Sequence, residues 1–387
     1  MRFEFKKEPK KLAIVSYGTR VSLTSKNVRS VDLIYLRDIL QNVYGREVDF
    51  VSKVSRTDKG IPYFKDIYTT DLNDYDEVVA YNCALNPFGG LFKDEAITTM
   101  EKMHDFKGDL YYYLCDPKMP CADFAAYLKY KAKDTGKVKT DSKSGYREVS
   151  DKFLDDWSKN TWPRIKIMFA GCDYDKYYEV FTERNANRTT VQSKLNPDYD
   201  WCHIPLFEYY AVNEMLDKKL CDYQFLDRKH DLVYFGNNRM TERNKIIEEF
   251  YDQPGLDVQI IGYDPKFTKC KYESTDYVSH DELFPMICDS YATLILGDTL
   301  HNNNTRTPRF FEAMLLDVVA FIYEKYDEEH KFVNNPKLKE FIYVKTPEEL
   351  KEKIEMIKKN KQLGKDIIAL EREDVLSQFK HMKQDKE

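Results

Sequence analysis

The amino-acid sequence predicts an α/β protein built from two doubly wound domains, each a parallel sheet with helices on both faces. Three observations predict this. Short apolar runs alternate with segments of helical apolar spacing in both halves of the chain. Many of these runs stop at Gly, Asp or a polar turn, as strands do at the carboxyl edge of a parallel sheet. At 387 residues the chain is long enough for two separate cores.

In the first half, residues 12–17 read as a strand closed by Gly18. Residues 31–43 carry apolar side chains at helical spacing, with Asp32 as a first-turn acid. Residues 48–51 and 77–81 read as strands, 95–104 as a helix, and 110–115 as a strand running into Asp116-Pro117. Residues 165–169 form a further strand. Around 205–213 the text turns aromatic and irregular, which places the domain boundary there.

The second half repeats the pattern. Strands are predicted at 232–235, closed by Gly236, and at 258–261, closed by Gly262. Two more follow at 293–296 and 318–323, and helices fall at 241–250, 283–290 and 310–316. Thr346-Pro347-Glu348-Glu349 is a helix start, in which Thr caps, Pro takes the first turn and Glu349 closes a capping box. A last helix covers about 364–382.

Composition narrows the function classes. No apolar run approaches the roughly 20 residues needed to span a membrane. The apolar run after the basic N-terminus (MRFEFKKEPKKLAIVSYG) is short and lacks a cleavage pattern, so it reads as a first strand and not a signal peptide. The 8 Cys form no C-x-x-C pair, which favours a reducing compartment and argues against structural zinc. Asn187 and Asn303 then match glycosylation sequons by chance. The net charge of −6 excludes a globally basic molecule, but a local patch suffices for nucleic acid. Residues 129–147 (KYKAKDTGKVKTDSKSGYR), with Lys131, Lys133 and Lys137, are such a patch. A solvated insertion explains the same composition.

Residues 294–316 (LILGDTLHNNNTRTPRFFEAMLL) carry the most chemistry. A strand ends in Gly297-Asp298, a polar loop holding His301 follows, and Pro308-Arg309 opens a helix that carries Glu312. Strand end, loop and helix start is where an α/β sheet places a ligand. Arg309 at the helix start suits a phosphate, and Glu312 can accept hydrogen bonds from a sugar diol. A surface loop with an Arg–Glu helix pair explains this segment equally well. Gly236-Asn237-Asn238-Arg239 with Arg243 is a second strand-end site, where Gly236 admits a close ligand and the arginines could join Arg309 around a diphosphate. A solvated helix face paired with Glu242 is the plainer reading. Asp116, after a strand end, could act as general base toward a hydroxyl, though Asp-Pro turns are common. Asn86, Gly89 and Gly90 form a turn that permits close backbone approach.

These residues resemble the DNA β-glucosyltransferase family of T-even-type bacteriophages. The likeness keeps its order along most of the chain. It is strongest in residues 72–90 (LNDYDEVVAYNCALNPFGG), 110–120 (LYYYLCDPKMP), 232–250 and 293–357; residues 121–205 are longer than the family pattern. The resemblance implies the GT-B architecture: two Rossmann-like domains facing a central cleft, with the C-terminal helix returning to the first. The first domain would be 1–208 with the helix at about 372–387, and the second 209–371. It implies inverting transfer of glucose from UDP-glucose to 5-hydroxymethylcytosine in duplex DNA, with the base flipped out.

By position, Asp116 is then the catalytic base. Arg239, Arg243 and Arg309 clamp the diphosphate, the Gly236-Asn237 turn offers it backbone, and Glu312 holds the ribose. Asp32, Asp298 and His301 lie near the donor, and Asn86, Gly89, Gly90, Lys118, Lys131, Lys133 and Lys137 face DNA. A divalent cation, Mg or Mn, accompanies the donor through unassigned ligands. A monomer in the cytoplasm of the infected bacterial host is expected, with no membrane contact. Three departures bear on the sugar: Asp32 replaces a family Glu, His301 a Tyr, and Lys118 an Arg. They keep a second donor such as UDP-arabinose open, as well as a non-DNA acceptor.

Overall fold

The computed structural model describes residues 1–16, 28–52, 64–81, 94–114, 150–170, 200–215, 228–236, 242–276, 278, 280–297 and 306–382. They form two compact units that part between Pro205 and Leu206.

The first unit holds strands β1 (Lys11–Val15), β2 (Glu47–Ser52), β3 (Phe64–Asp66), β4 (Glu77–Tyr81), β5 (Asp109–Leu114), β6 (Ile165–Phe169) and β7 (Trp201–His203). They make one 7-stranded sheet in the order β3-β2-β1-β4-β5-β6-β7, with every pair parallel. Helices α1 (Val28–Asn42), α2 (Asp94–Asp105) and α3 (Asp151–Asn160) belong to this unit's βα connections. Past their charged first residues the central strands β1 and β4 are apolar runs, as a sheet covered on both faces requires; Leu12, Ile14, Val78 and Val79 are fully buried. Trp157 on α3 packs against Trp162, and its indole N–H donates to Met100 O at 2.9 Å, fastening α3 to α2. At the amino edge the buried Arg46 forms a two-pronged pair with Glu77, at 2.8 and 3.1 Å, and donates to Lys6 O, Glu8 O and Tyr44 O. That pair anchors the N-terminal segment far from the carboxyl edge.

The second unit opens with α4 (Leu206–Tyr210) and a π-helical turn, Ala211–Met215. Its strands are β8 (His230–Phe235), β9 (Asp257–Ile261), β10 (Lys271–Thr275), β11 (Ser290–Ile295), β12 (Val319–Tyr323) and β13 (Tyr343–Val344). Their order is β10-β9-β8-β11-β12-β13, again all parallel. The helices are α5 (Glu242–Tyr251), α6 (His280–Cys288), α7 (Pro308–Leu315), α8 (Pro336–Ile342), α9 (Pro347–Lys359) and α10 (Lys361–Phe379). Helix α10 packs on α4, α7, α8, α9 and β12.

The predicted alternation of strands and helices is present in both units. Two local expectations need correction. Helix α1 begins at Val28, so Asp32 stands a turn inside it and not in the first turn. At the start of α9 the Thr346 hydroxyl accepts from Glu349 N at 3.2 Å, but Glu349 returns to Lys345 N at 2.8 Å instead of to the cap residue itself. The carboxylate thus caps the residue before the N-cap, one position short of the reciprocal capping box.

Candidate functional site

In the second sheet the strand order reverses between β8 and β11, so the chain leaves these neighbouring strands in opposite directions. A crevice opens at such a switch point beyond the carboxyl ends of the strands, and α/β sheets bind ligands there. Gly236 follows β8, Gly262 follows β9, Leu296 and Gly297 follow β11, and α7 starts just beyond. The backbone is tightly drawn. Gly236 N donates to Ile261 O at 2.9 Å, and Gly262 N donates to Thr275 O at 2.8 Å. Gly262 has φ +105°, and a Cβ there would stand 2.6 Å from Gly236 O, so only Gly fits.

Arg309 is the second residue of α7, after Pro308, where its fixed φ suits the helix start. A cation at this end opposes the helix dipole by ~0.3–1 kcal/mol, an unfavourable placement unless an anion joins it. Among the described residues the N-cap Thr307 does not relieve the helix end: its buried hydroxyl makes no hydrogen bond there. The Arg309 guanidinium is half-buried, with Cζ 5.2 Å from the centre of the Tyr234 ring and Nη1 donating to Leu296 O at 3.5 Å. Burial works against its charge. Tyr234, Tyr326, Tyr251 and Glu312 act the other way and leave the guanidinium above its ordinary range. It is a fixed positive charge with most of its five donors uncommitted among the described residues.

The tyrosines beneath it are ordered by edge-to-face contacts. Tyr234 meets Tyr251 at 5.9 Å and Tyr263 at 5.6 Å between ring centres. The Tyr251 hydroxyl bridges the switch point, donating to Val233 O and accepting from Leu294 N, both at 3.1 Å. Arg243, on α5, is 5% exposed, so it is not the solvated helix-face residue of the plainer reading. Its charge lowers the proton affinity of Tyr263, while burial, the larger influence, raises it. Tyr263, Tyr234 and Arg309 thus touch in turn, and the Arg243 charge acts on Tyr263. Glu312 lies three residues after Arg309 on α7 and close enough to favour its charge.

Of the residues singled out in the sequence, the structure brings together Gly236, Arg243, Arg309 and Glu312. Asn237, Arg239, Asp298 and His301 lie outside the described residues, as do Asp116, Asn86, Gly89, Gly90, Lys118, Lys131, Lys133 and Lys137. Asp32 belongs to α1, which follows β1 in the first unit. Sequence reasoning passed over Tyr234, Gly262 and Tyr263. Gly262 had a signal, a Gly closing a strand; Tyr234 had none, because an aromatic in an apolar strand reads as core. In the first unit, β5 ends at Leu114, two residues before Asp116. There Tyr81 and Tyr113 stack at 5.7 Å, beside the switch point between β1 and β4.

Comparison with known proteins agrees with this fold. Residues 10–142 match the family model of bacteriophage T4 beta-glucosyltransferase, and residues 239–384 match a glycosyl transferase-like model. The DNA beta-glucosyltransferase of Enterobacteria phage T4 is 24% identical over 384 residues, covering 96% of each chain. Among solved structures, T4 phage β-glucosyltransferase with UDP and Mn2+ matches with a TM-score of 0.66 at 22% identity, over 96% of both chains. An alpha-glucosyltransferase bound to UDP-glucose and abasic DNA matches with a TM-score of 0.58 at 11% identity, over 97% of this chain and 100% of that one. The GT-B fold and the resemblance to the phage β-glucosyltransferases are both borne out.

Proposed function

We propose that this chain, related over nearly its whole length to the phage DNA β-glucosyltransferases, is a UDP-sugar-dependent DNA glycosyltransferase. It moves glucose from UDP-glucose to the hydroxymethyl oxygen of 5-hydroxymethylcytosine in duplex DNA, in the cytoplasm of a phage-infected cell. The observation that carries the reading is Arg309 against Gly236 at the switch point of the second sheet. A close-approach backbone, a cation at a helix start and a buried second arginine are what a diphosphate needs. Glu312, one turn along α7, is placed to hold a ribose diol.

Asp116 takes the proton as the hydroxymethyl oxygen attacks C1 of the sugar from the face opposite UDP. The bond from C1 to the diphosphate oxygen breaks, its electron pair leaves with UDP, and the anomeric centre inverts. Arg309 and Arg243, joined by Arg239, meet the charge that develops on the leaving group. The base leaves the stack to reach Asp116, as bases modified by enzymes do. The relative solved with UDP and Mn2+ supports a divalent cation with the donor. Among the described residues no three His, Cys, Asp or Glu side chains gather into a metal site. The described residues therefore meet the diphosphate with arginines and offer a cation no acidic cage.

The test is to incubate the protein with 5-hydroxymethylcytosine duplex and separate UDP-sugars, digest, and weigh the nucleosides. A hexose gain with UDP-glucose is expected, and Asp116→Asn should abolish it while UDP binding stays nearly intact. A pentose gain with UDP-arabinose alone would move the donor to the second candidate. Unmodified DNA with every donor, alongside transfer to a small acceptor, would overturn the DNA assignment.

A further inference from the structure

The Tyr234 hydroxyl is one of several buried polar groups without a partner among the described residues, and it stands at the strand-end crevice. Tyr234 is 1% exposed, yet its hydroxyl has no hydrogen-bond partner among the described residues. Buried hydroxyls are nearly always paired, and leaving one unpaired is costly. The adjacent Tyr251 shows the usual solution, with its hydroxyl both donating and accepting. Tyr234 is not remote from the site. The point where a Cβ would stand on Gly236 lies 3.2 Å from the Tyr234 hydroxyl and 2.9 Å from Arg309 Nη2. Hydroxyl and guanidinium thus converge on one spot beside the strand-end Gly. The Tyr234 ring also carries Arg309, whose Cζ lies 5.2 Å from its centre.

Among the described residues Arg309 is the cation nearest this spot. Arg309 is held at its head by one long hydrogen bond among the described residues, Nη1 to Leu296 O at 3.5 Å. A guanidinium so lightly tethered can turn toward an anion and stay over the ring face.

We propose that Tyr234 is a further donor-binding residue: its hydroxyl donates a hydrogen bond to a diphosphate oxygen of the nucleotide-sugar, while its ring positions Arg309. This rests on the UDP-sugar reading above and adds a residue that neither the strand-end arginines nor the family likeness supplied. A core polar group left unpaired at a ligand crevice is where local stability is given up for function.

The consequence has opposite signs for stability and binding, which a structural tyrosine would not give. Tyr234→Phe keeps the ring and removes only the hydroxyl. Its melting temperature is expected to equal or exceed that of the wild type. Calorimetric titration should show UDP binding weakened about tenfold, or ~1.4 kcal/mol, with uridine binding unchanged. Tyr234→Leu, which also loses the ring under Arg309, should weaken UDP further. If the wild type binds UDP and Tyr234→Phe binds it equally well, the Tyr234 role is wrong and the UDP-sugar reading survives. If Tyr234→Phe loses melting temperature and binds UDP and uridine equally worse, the hydroxyl is structural. If the wild type binds no UDP, the donor reading falls and this role falls with it.

Discussion

At Gly236 the backbone has φ +149°, which L side chains rarely adopt, and Arg309 fills the space a side chain would take. Gly236→Ala combines strain of ~1–3 kcal/mol with a methyl group pushed against the guanidinium and the Tyr234 hydroxyl. The flexible end of Arg309 is what gives way, so the variant should lose stability modestly and UDP affinity by tenfold or more. Titration beside thermal melting reads both, and wild-type UDP affinity in a folded Gly236→Ala protein would show that this Gly does not set the position of Arg309. Gly236, Arg243, Arg309 and Glu312 were legible in the sequence because glycine at a strand end and arginine at a helix start are locally unusual. Tyr234 was not, since its environment, and not its identity, makes it unusual. A six-residue strand buried at every position hides a polar tip among apolar neighbours.

Helix α10 and strand β12 show what sequence periodicity transmits and what it misses. The buried central strands and capped helices were readable from apolar runs, Thr-Pro starts and strand-end glycines. The strands β3, β7, β10 and β13 were not. Strand β10 (KYEST) is largely polar because its edge faces water, and β13 has two residues, too few for any period. The shortness of β13 has a consequence for α10. It pairs only with Ile322 and Tyr323, so the stretch of β12 further back, around Ala320, has no β13 partner. Glu371 on α10 supplies one, accepting from Ala320 N at 3.1 Å in a fully buried position. Burial pushes the Glu371 carboxyl up to about 8, against the pull of the Ala320 N–H and of Arg372. The folded chain therefore keeps a proton that the unfolded chain releases above the ordinary carboxylate range. This stability is fully present below the unfolded value and is lost as pH rises through about 8. Glu371→Gln keeps an acceptor for Ala320 and removes the titration. Denaturant unfolding at ~pH 5 and ~pH 9 should show a flatter pH dependence for the variant, with its advantage at the alkaline end. Parallel curves for the two proteins would show that Glu371 is not the group being titrated.

At the scale of the whole molecule the question is how a chain of net charge −6 would hold a polyanion. Affinity for duplex DNA comes largely from cations set against phosphates, each releasing counterions, so charge distribution matters more than the total. The chain concentrates seven Lys or Arg against two Asp in residues 129–147, directly after the segment that carries Asp116. A transferase whose base must meet a flipped nucleotide needs phosphate contacts on the same side as that base, and this run is positioned in sequence to supply them. The remaining surface, net acidic, would repel DNA elsewhere and favour one orientation. Replacing Lys131, Lys133 and Lys137 together by Gln alters no residue of the described strands and removes three positive charges. If all three meet phosphates, the slope of log affinity against log salt should shrink by about 2.7, with the loss greatest at low salt. Binding of 5-hydroxymethylcytosine duplex across a salt series measures this directly. UDP affinity should not change, because Gly236, Arg243, Arg309 and Glu312, assigned to the diphosphate and ribose, lie in the other unit. An unaltered salt slope would return the basic run to a solvated insertion and send the search for the DNA surface to other parts of the first unit.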